Sequence, residues 1–271
     1  SGQDTWYDMN VPGSAMETFC KEGILPDPYY GMNEYKWTEF WKNDFDIRST
    51  FSVSAEEIAS EEILLTFYGI DTVADVFLNG KKLGHTENMH RTWVYQVKEL
   101  VKEGENLLEL HIASPVKFIE TYKPEKGREI HFTNTGTTSG SQYIRKAHSM
   151  FGWDWGPRLP DAGIWRPIFL RTWDTARLEN ALMLQAHHDS VVDVTIRPEI
   201  AGESAWSAEI TAPDGEVLTL PETTAAEQVI TIEHPQLWWP NGLGKQPLYR
   251  VTVRLATGDT RMWRIGLLTM T

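Results

Sequence analysis

Short runs of β-branched and aromatic residues, each closed by Gly, Asn or Pro, recur along nearly the whole chain, and this spacing confines it to antiparallel sheets. Phe45 to Val53, Ile63 to Tyr68, Val73 to Leu78, Leu107 to Ala113 and Ile164 to Leu170 read as strands of one sheet system. The firmest hairpin is Val76 to Leu83, where Asn79-Gly80 tolerates the positive φ angles that a two-residue turn of matching twist requires. Gly104-Glu105-Asn106 supplies a further turn, after which Leu108, Leu110 and Ile112 alternate onto one face.

A second run begins after Trp173: Ala181 to Ala186, Val191 to Arg197, Trp206 to Ala212, Glu216 to Leu220, Val229 to Glu233, Leu248 to Leu255 and Thr260 to Ile265. Short strands at this density, with turns at Pro213-Asp214-Gly215 and Thr257-Gly258-Asp259, suggest an immunoglobulin-like sandwich. The expected boundary lies near Thr172 to Glu179, giving domains of residues 1–174 and 175–271. Helix is scarce. The better candidates are Ser14 to Lys21, which Ser14 can cap with Glu17 three residues on, and Pro115 to Tyr122. Between Lys123 and Ser149 the chain turns polar and glycine-rich, notably at Thr133 to Ser141, too long for a simple connection and so expected to be a functional loop.

The 271 residues are 41% hydrophobic, enough to bury a sizeable core. A formal net charge of -13 repels phosphate backbones and anionic lipid, so neither nucleic acid nor a membrane is an expected partner. The single cysteine, Cys20, permits no internal disulfide and no cysteine-based zinc cluster; beside Met16, Phe19 and Ile24 it reads as a small buried hydrophobe. The apolar runs are too short for a membrane helix and no signal pattern opens the chain; no compartment is assigned, with the cytoplasm favoured.

Tryptophan is the unusual component, with 12 residues, several beside carboxylates or Gly-Pro turns. An indole packs against the axial C–H face of a pyranose while a carboxylate accepts its hydroxyl protons, although a sandwich core also uses tryptophan. In Phe151-Gly152-Trp153-Asp154-Trp155-Gly156-Pro157 two indoles flank one carboxylate between glycines. Extended backbone would put Trp153 and Trp155 on one face and Asp154 on the other, so all three can serve one ligand only if the chain turns there.

The chain resembles the β-mannosidases of glycoside hydrolase family two. The matching stretches are Val11-Pro12-Gly13, Asp27 to Glu34, Gly69 to Thr72, Leu78-Asn79-Gly80, Arg145-Lys146 with Phe151 to Pro157, Gly163 to Pro167, Leu237 to Gly242 and Pro247-Leu248-Tyr249, in the family's order. The resemblance implies an all-β chain: a jelly-roll, galactose-binding-like sandwich followed by an immunoglobulin-like β-sandwich. It also implies that both catalytic glutamates lie on a C-terminal (β/α)-barrel, of which these residues show no alternating strand-helix pattern, so the chain is expected to be a fragment, inactive alone.

On that resemblance Trp153, Asp154 and Trp155 are the substrate-binding residues: Asp154 orients sugar hydroxyls and an indole forms an apolar wall. No residue of the chain is expected to be catalytic, and no metal or cofactor is expected. The implied partners are a mannoside or manno-oligosaccharide and the chain's own barrel. Alternatives are a self-sufficient carbohydrate-binding module, or the front region of a β-galactosidase, β-glucuronidase or exo-glucosaminidase, which share the architecture. One departure from the family pattern is His148, where relatives are expected to carry glutamine.

Other candidates have plainer readings. Asn33-Glu34 mimics the family's catalytic dipeptide but sits in an early loop. Glu56-Glu57 and Glu61-Glu62 read as solvated surface, and His187-His188-Asp189 points its neighbouring side chains to opposite strand faces, poorly placed for one metal. Trp165 and Trp238-Trp239-Pro240 read as packing at a domain junction.

Overall fold

The structure, a computed structural model, describes residues 5–131 and 137–268. The chain divides into two compact units between Thr172 and Trp173.

The first unit is a two-sheet sandwich. One sheet has the order β2-β7-β4-β5, formed by β2 (Phe45–Val53), β4 (Val73–Leu78), β5 (Lys81–Glu87) and β7 (Gly104–Ile112). The other has the order β6-β3-β9, from β3 (Glu62–Phe67), β6 (Trp93–Gln96) and β9 (Ile168–Trp173). A short ribbon pairs β1 (Gly13–Ser14) with β8 (Gly163–Ile164). Period-two alternation places Val76 and Leu78 of β4, Leu108, Leu110 and Ile112 of β7, and Ile63, Leu65 and Phe67 of β3 in one core between the sheets.

Local sequence accounts for the turns and helices. Asn79 and Gly80 take φ angles of 50° and 78°, the mirror-image turn expected between β4 and β5. The Asn79 side chain also fastens the sheet's end: its Oδ1 accepts the Leu107 N–H at 2.9 Å and its Nδ2 donates to the Leu100 carbonyl at 2.9 Å. Helix α1 (Ala15–Lys21) starts at Ser14, whose Oγ accepts the Glu17 N–H at 3.2 Å, and α4 (Pro115–Thr121) starts at Ser114 with proline in its first turn. Between them stand α2 (Glu34–Phe40) and α3 (Ala55–Ala59). Trp37 and Trp41, both fully buried, stack with centroids 5.4 Å apart and seat α2 among Phe19, Phe40 and Phe45. Cys20 packs beside the same core, where burial pushes its thiol pKa up, as suits a hydrophobe more than a nucleophile.

Several expectations need correction. The strand foreseen over Ile164 to Leu170 is split into β8 and β9, because Pro167 has no N–H to donate and only its carbonyl is used, accepting from Tyr68 N at 3.1 Å. The turn foreseen at Gly104 to Asn106 belongs to the start of β7; the reversal precedes it, closed by Asn106, whose side chain bonds Lys102 N and O. Glu56 and Glu57 lie on the short helix α3, where Ser54 and Glu57 form a reciprocal capping box. In the polar stretch from Lys123 to Ser149, residues 132–136 lie outside the described residues.

The second unit is a seven-stranded sandwich. A three-stranded sheet has the order β10-β11-β14, from β10 (Ala176–His187), β11 (Val191–Gly202) and β14 (Gln228–Glu233). A four-stranded sheet has the order β13-β12-β15-β16, from β12 (Trp206–Thr211), β13 (Val217–Thr223), β15 (Tyr249–Leu255) and β16 (Thr260–Ile265). Val192, Val194 and Ile196 of β11 face Ala208, Ile210, Val251 and Val253 across the core. Trp206 and Tyr249 are buried there with their polar atoms used: Trp206 Nε1 donates to the Ala225 carbonyl at 2.8 Å, and Tyr249 OH accepts from Gln236 N at 2.8 Å. Trp238 lies against Gly266, with its N–H donated to the Leu267 carbonyl at 2.9 Å, and Trp239 lies over Gly244.

Candidate functional site

The segment from Ser141 to Ala162 contains no strand, with single-turn helices at Ser141–Tyr143 and His148–Phe151 and one isolated bridge, between Arg145 and Asn88. Buried side chains replace the missing ladder. Phe151 is fully buried and packs with Val73, Ile119 and Ile144, while its carbonyl accepts the Thr138 N–H at 3.0 Å. Leu159 N donates to the Met150 carbonyl at 2.8 Å, closing the neck of the excursion.

Beneath this neck lies a charged cluster. Lys146, fully buried at its side chain, extends its Nζ to Asp71 Oδ2 and to the Asp161 carbonyl, the latter at 2.7 Å. The Asp161 carboxylate accepts the N–H groups of Met16 at 3.0 Å and Ala162 at 2.8 Å. Asp71 exchanges backbone hydrogen bonds with Gly163, at 2.9 and 3.1 Å. The cluster therefore ties the start of the excursion, its end and α1 to one point. Burial pushes the Lys146 pKa down, against the pull of the Asp71 carboxylate, and pushes the Asp161 carboxyl up. Both shifts mark charges held in a dry place, the ordinary condition of a buried pair that fixes geometry.

Above the neck the chain reverses. Trp153 N donates to the Gly156 carbonyl at 3.1 Å and Gly156 N donates back to Trp153 at 3.4 Å, leaving Asp154 and Trp155 at the tip. Trp155 is 84% exposed, Trp153 49%, and Asp154 is exposed. The turn that would let two indoles and a carboxylate serve one ligand is thus present. His148 is exposed at the start of its short helix.

A second loop joins this one, and the sequence reading missed it. Glu34 Oε1, at the start of α2, accepts the Arg158 N–H at 3.1 Å, fastening the Asp27 to Asn33 loop and the first turn of α2 to the residues just past Gly156-Pro157. Glu34 is thus a brace for the turn; its stretch, Asp27 to Glu34, resembles the family, but nothing in the sequence points to Arg158 as its partner.

Trp165 leans on its own unit: its Nε1 donates to the Met89 carbonyl at 2.9 Å, and a Cβ on Gly69 would lie 2.5 Å from that nitrogen. The first unit also holds a cavity of about 640 Å³, between Ile47, Phe51 and Leu110 on one sheet and Leu65, Ile168 and Leu170 on the other; none of Trp153, Asp154 and Trp155 lines it. Among the described residues no group of three or more His, Cys, Asp or Glu side chains gathers as a metal ion would need. His187 meets Gln185 and His188 meets Asp193, so the adjacent imidazoles go to separate partners. Among the described residues no helix is long and apolar enough to cross a membrane.

A jelly-roll, galactose-binding-like sandwich that carries an exposed Trp-Asp-Trp turn, followed by a second β-sandwich, defines an all-β region of the kind found in glycoside hydrolases. The family model described as glycosyl hydrolase 2 galactose-binding domain-like matches residues 1–166, and that described as glycosyl hydrolases family 2 matches residues 165–266. The chain belongs to glycosyl hydrolase family 2. It is 27% identical to a β-mannosidase of Rattus norvegicus over 281 residues, covering 91% of this chain and 30% of that protein. It is 30% identical to β-mannosidase B of Emericella nidulans over 279 residues, covering 97% of this chain and 32% of that protein. Among solved structures it resembles the β-D-mannosidase of Dictyoglomus thermophilum, with a TM-score of 0.85, 33% identity, and coverage of 98% of this chain and 34% of that one. The chain spans about a third of the length of these relatives.

Proposed function

We propose that this chain is the non-catalytic N-terminal region of a retaining β-mannosidase, and that the Trp153 to Gly156 turn supplies part of the pocket for the terminal mannose. The carrying observation is the turn itself, which presents an exposed carboxylate and an exposed indole on a neck held by Phe151 and the Lys146 cluster. The similarity to β-mannosidases supports the choice of glycoside. In this reading Asp154 accepts hydrogen bonds from sugar hydroxyls and fixes the ring's orientation, and an indole excludes water from one side. Two carboxylates about 5 Å apart on a (β/α)-barrel outside this chain act as acid/base and nucleophile. Asp154 orients substrate and takes no proton in the reaction.

The test is Asp154→Ala in the full-length protein, assayed on mannobiose. Loss of a charge-assisted contact of roughly 1.5–3 kcal/mol predicts a fall in kcat/KM of about 10- to 100-fold with unaltered folding. An unchanged kcat/KM defeats the reading. The 84% exposure of Trp155 also suits a self-sufficient carbohydrate-binding module. Saturable binding of mannobiose by this chain alone, followed by tryptophan fluorescence and abolished by Asp154→Ala, would favour that module.

A further inference from the structure

Four large side chains in the loop before α2 and in its first turn stand in solvent: Tyr29 is 71% exposed, Tyr30 78%, Met32 71% and Tyr35 58%. Scattered exposed apolar residues need no explanation, but a contiguous set on one short loop does. This loop is held in place. Asp27 Oδ1 accepts the Tyr29 N–H at 2.9 Å, and the Asp27 carbonyl accepts from Tyr30 N at 3.3 Å and from Asn33 Nδ2 at 2.9 Å. Gly31 takes a φ of +58°, which a larger residue would adopt only with strain. At the base, the fully buried Trp37 donates its Nε1 to the Pro26 carbonyl at 2.9 Å. The rings are thus displayed on an ordered support, with their conformational entropy already partly spent before any ligand arrives.

The loop's place is equally specific. Glu34 Oε1 binds the Arg158 N–H, and Asp154 is four residues from Arg158, at most about 14 Å along extended chain. The aromatic surface therefore adjoins the Trp-Asp-Trp turn. We infer that the Asp27 to Asn33 loop, with the first turn of α2, is a second sugar-contacting surface that receives the unit bonded to the terminal mannose, the leaving-group sugar. This rests on the function proposed above and extends it from one subsite to two.

Chemistry on the loop favours a neutral saccharide over other occupants. Three of the four exposed side chains are tyrosines, whose rings offer a flat apolar face and whose hydroxyls both donate and accept, matching a pyranose with its apolar face and hydroxyl rim. A purely packing interface would gain more from aliphatic residues with no polar atom to satisfy. The chain's net charge of -13 disfavours acidic polymers.

The experiment uses the full-length protein and two substrates: mannobiose, and β-mannosyl fluoride, whose single-atom leaving group cannot reach a second subsite. Tyr29→Ala with Tyr30→Ala is expected to lower kcat/KM on mannobiose about 10-fold while leaving the fluoride within about twofold, so the ratio of the two moves. Asp154→Ala lowers both. Equal losses on both substrates, with a reduced melting temperature, would mean that the loop docks another part of the protein and would overturn the inference. So would an unchanged ratio with neither rate affected. If instead Asp154→Ala leaves both substrates unchanged, it is the underlying function that fails, whatever the tyrosine variants do.

Discussion

In the second unit, β10 and β11 run 12 residues each and reversals such as Ala212 to Glu216 and Ala256 to Asp259 are short, so main-chain ladders hold most of it, the connection from His234 to Leu248 excepted. In the first, the excursion from Tyr122 to Ala162 carries two single-turn helices among its described residues and is held by buried side chains: Lys146, Asp71, Asp161 and Phe151. A buried backbone without a ladder still needs partners, so charged and polar groups are drawn into the interior where the sheet ends. That arrangement frees a turn to face outward, whereas the second unit, held mainly by ladders, keeps its central Trp206 inside.

Breaking the side-chain anchor should give the largest effect. Lys146→Met leaves the Asp71 carboxylate buried without its cation and is expected to destabilise the first unit by about 3–5 kcal/mol. Replacing both partners together, Lys146→Met with Asp71→Leu, should recover part of that loss, because no buried charge is then left alone. Denaturant unfolding with hydrogen exchange resolved to each unit checks this, and a loss spread equally over both units would contradict the contrast drawn between them.

The next effect belongs to the ladder-held unit. Ile196 is fully buried between the two sheets, and Ile196→Ala is expected to cost about 2–5 kcal/mol through lost burial and a residual cavity. Faster exchange should appear in β11 and its neighbours while peptides around Lys146 keep their protection. If Ile196→Ala also loosened those peptides, the units could not be treated as separately held.

The same contrast explains what could be read in advance. In the second unit strands such as β11 announce themselves by period-two alternation, as in Val192, Val194 and Ile196, and the turns Pro213-Asp214-Gly215 and Thr257-Gly258-Asp259 mark reversals, both local signals. In the first unit β6 is only four residues long, and α2 begins at Asn33 with no side-chain cap, so neither carries a start signal. The Trp-Asp-Trp run was visible as a motif whose flanking glycines permit a turn, and the reversal itself stood as a condition for the three residues to serve one ligand. Its supports were not visible, because Lys146 and Asp71 are 75 residues apart and Glu34 and Arg158 are 124 apart. In the sequence, Gly69 to Thr72 and Arg145-Lys146 are only stretches resembling the family; the structure joins them through the Lys146–Asp71 ion pair.

The smallest expected effect on stability sharpens the comparison most. Trp206 and Trp155 are the same residue type, 1% and 84% exposed. Trp206→Ala should cost about 3–5 kcal/mol, in the range for deleting a buried indole. Trp155→Ala removes a side chain that buries little, so its unfolding midpoint should correspond to a change within about 0.5 kcal/mol. If the indole walls the sugar pocket as proposed, it should nevertheless matter to activity: in the full-length protein, Trp155→Ala is expected to reduce kcat/KM on mannobiose several-fold at unchanged stability. A stability loss comparable to that of Trp206→Ala would show that Trp155 packs against other parts of the protein, and the turn would then be a joint between domains more than a wall of the sugar pocket.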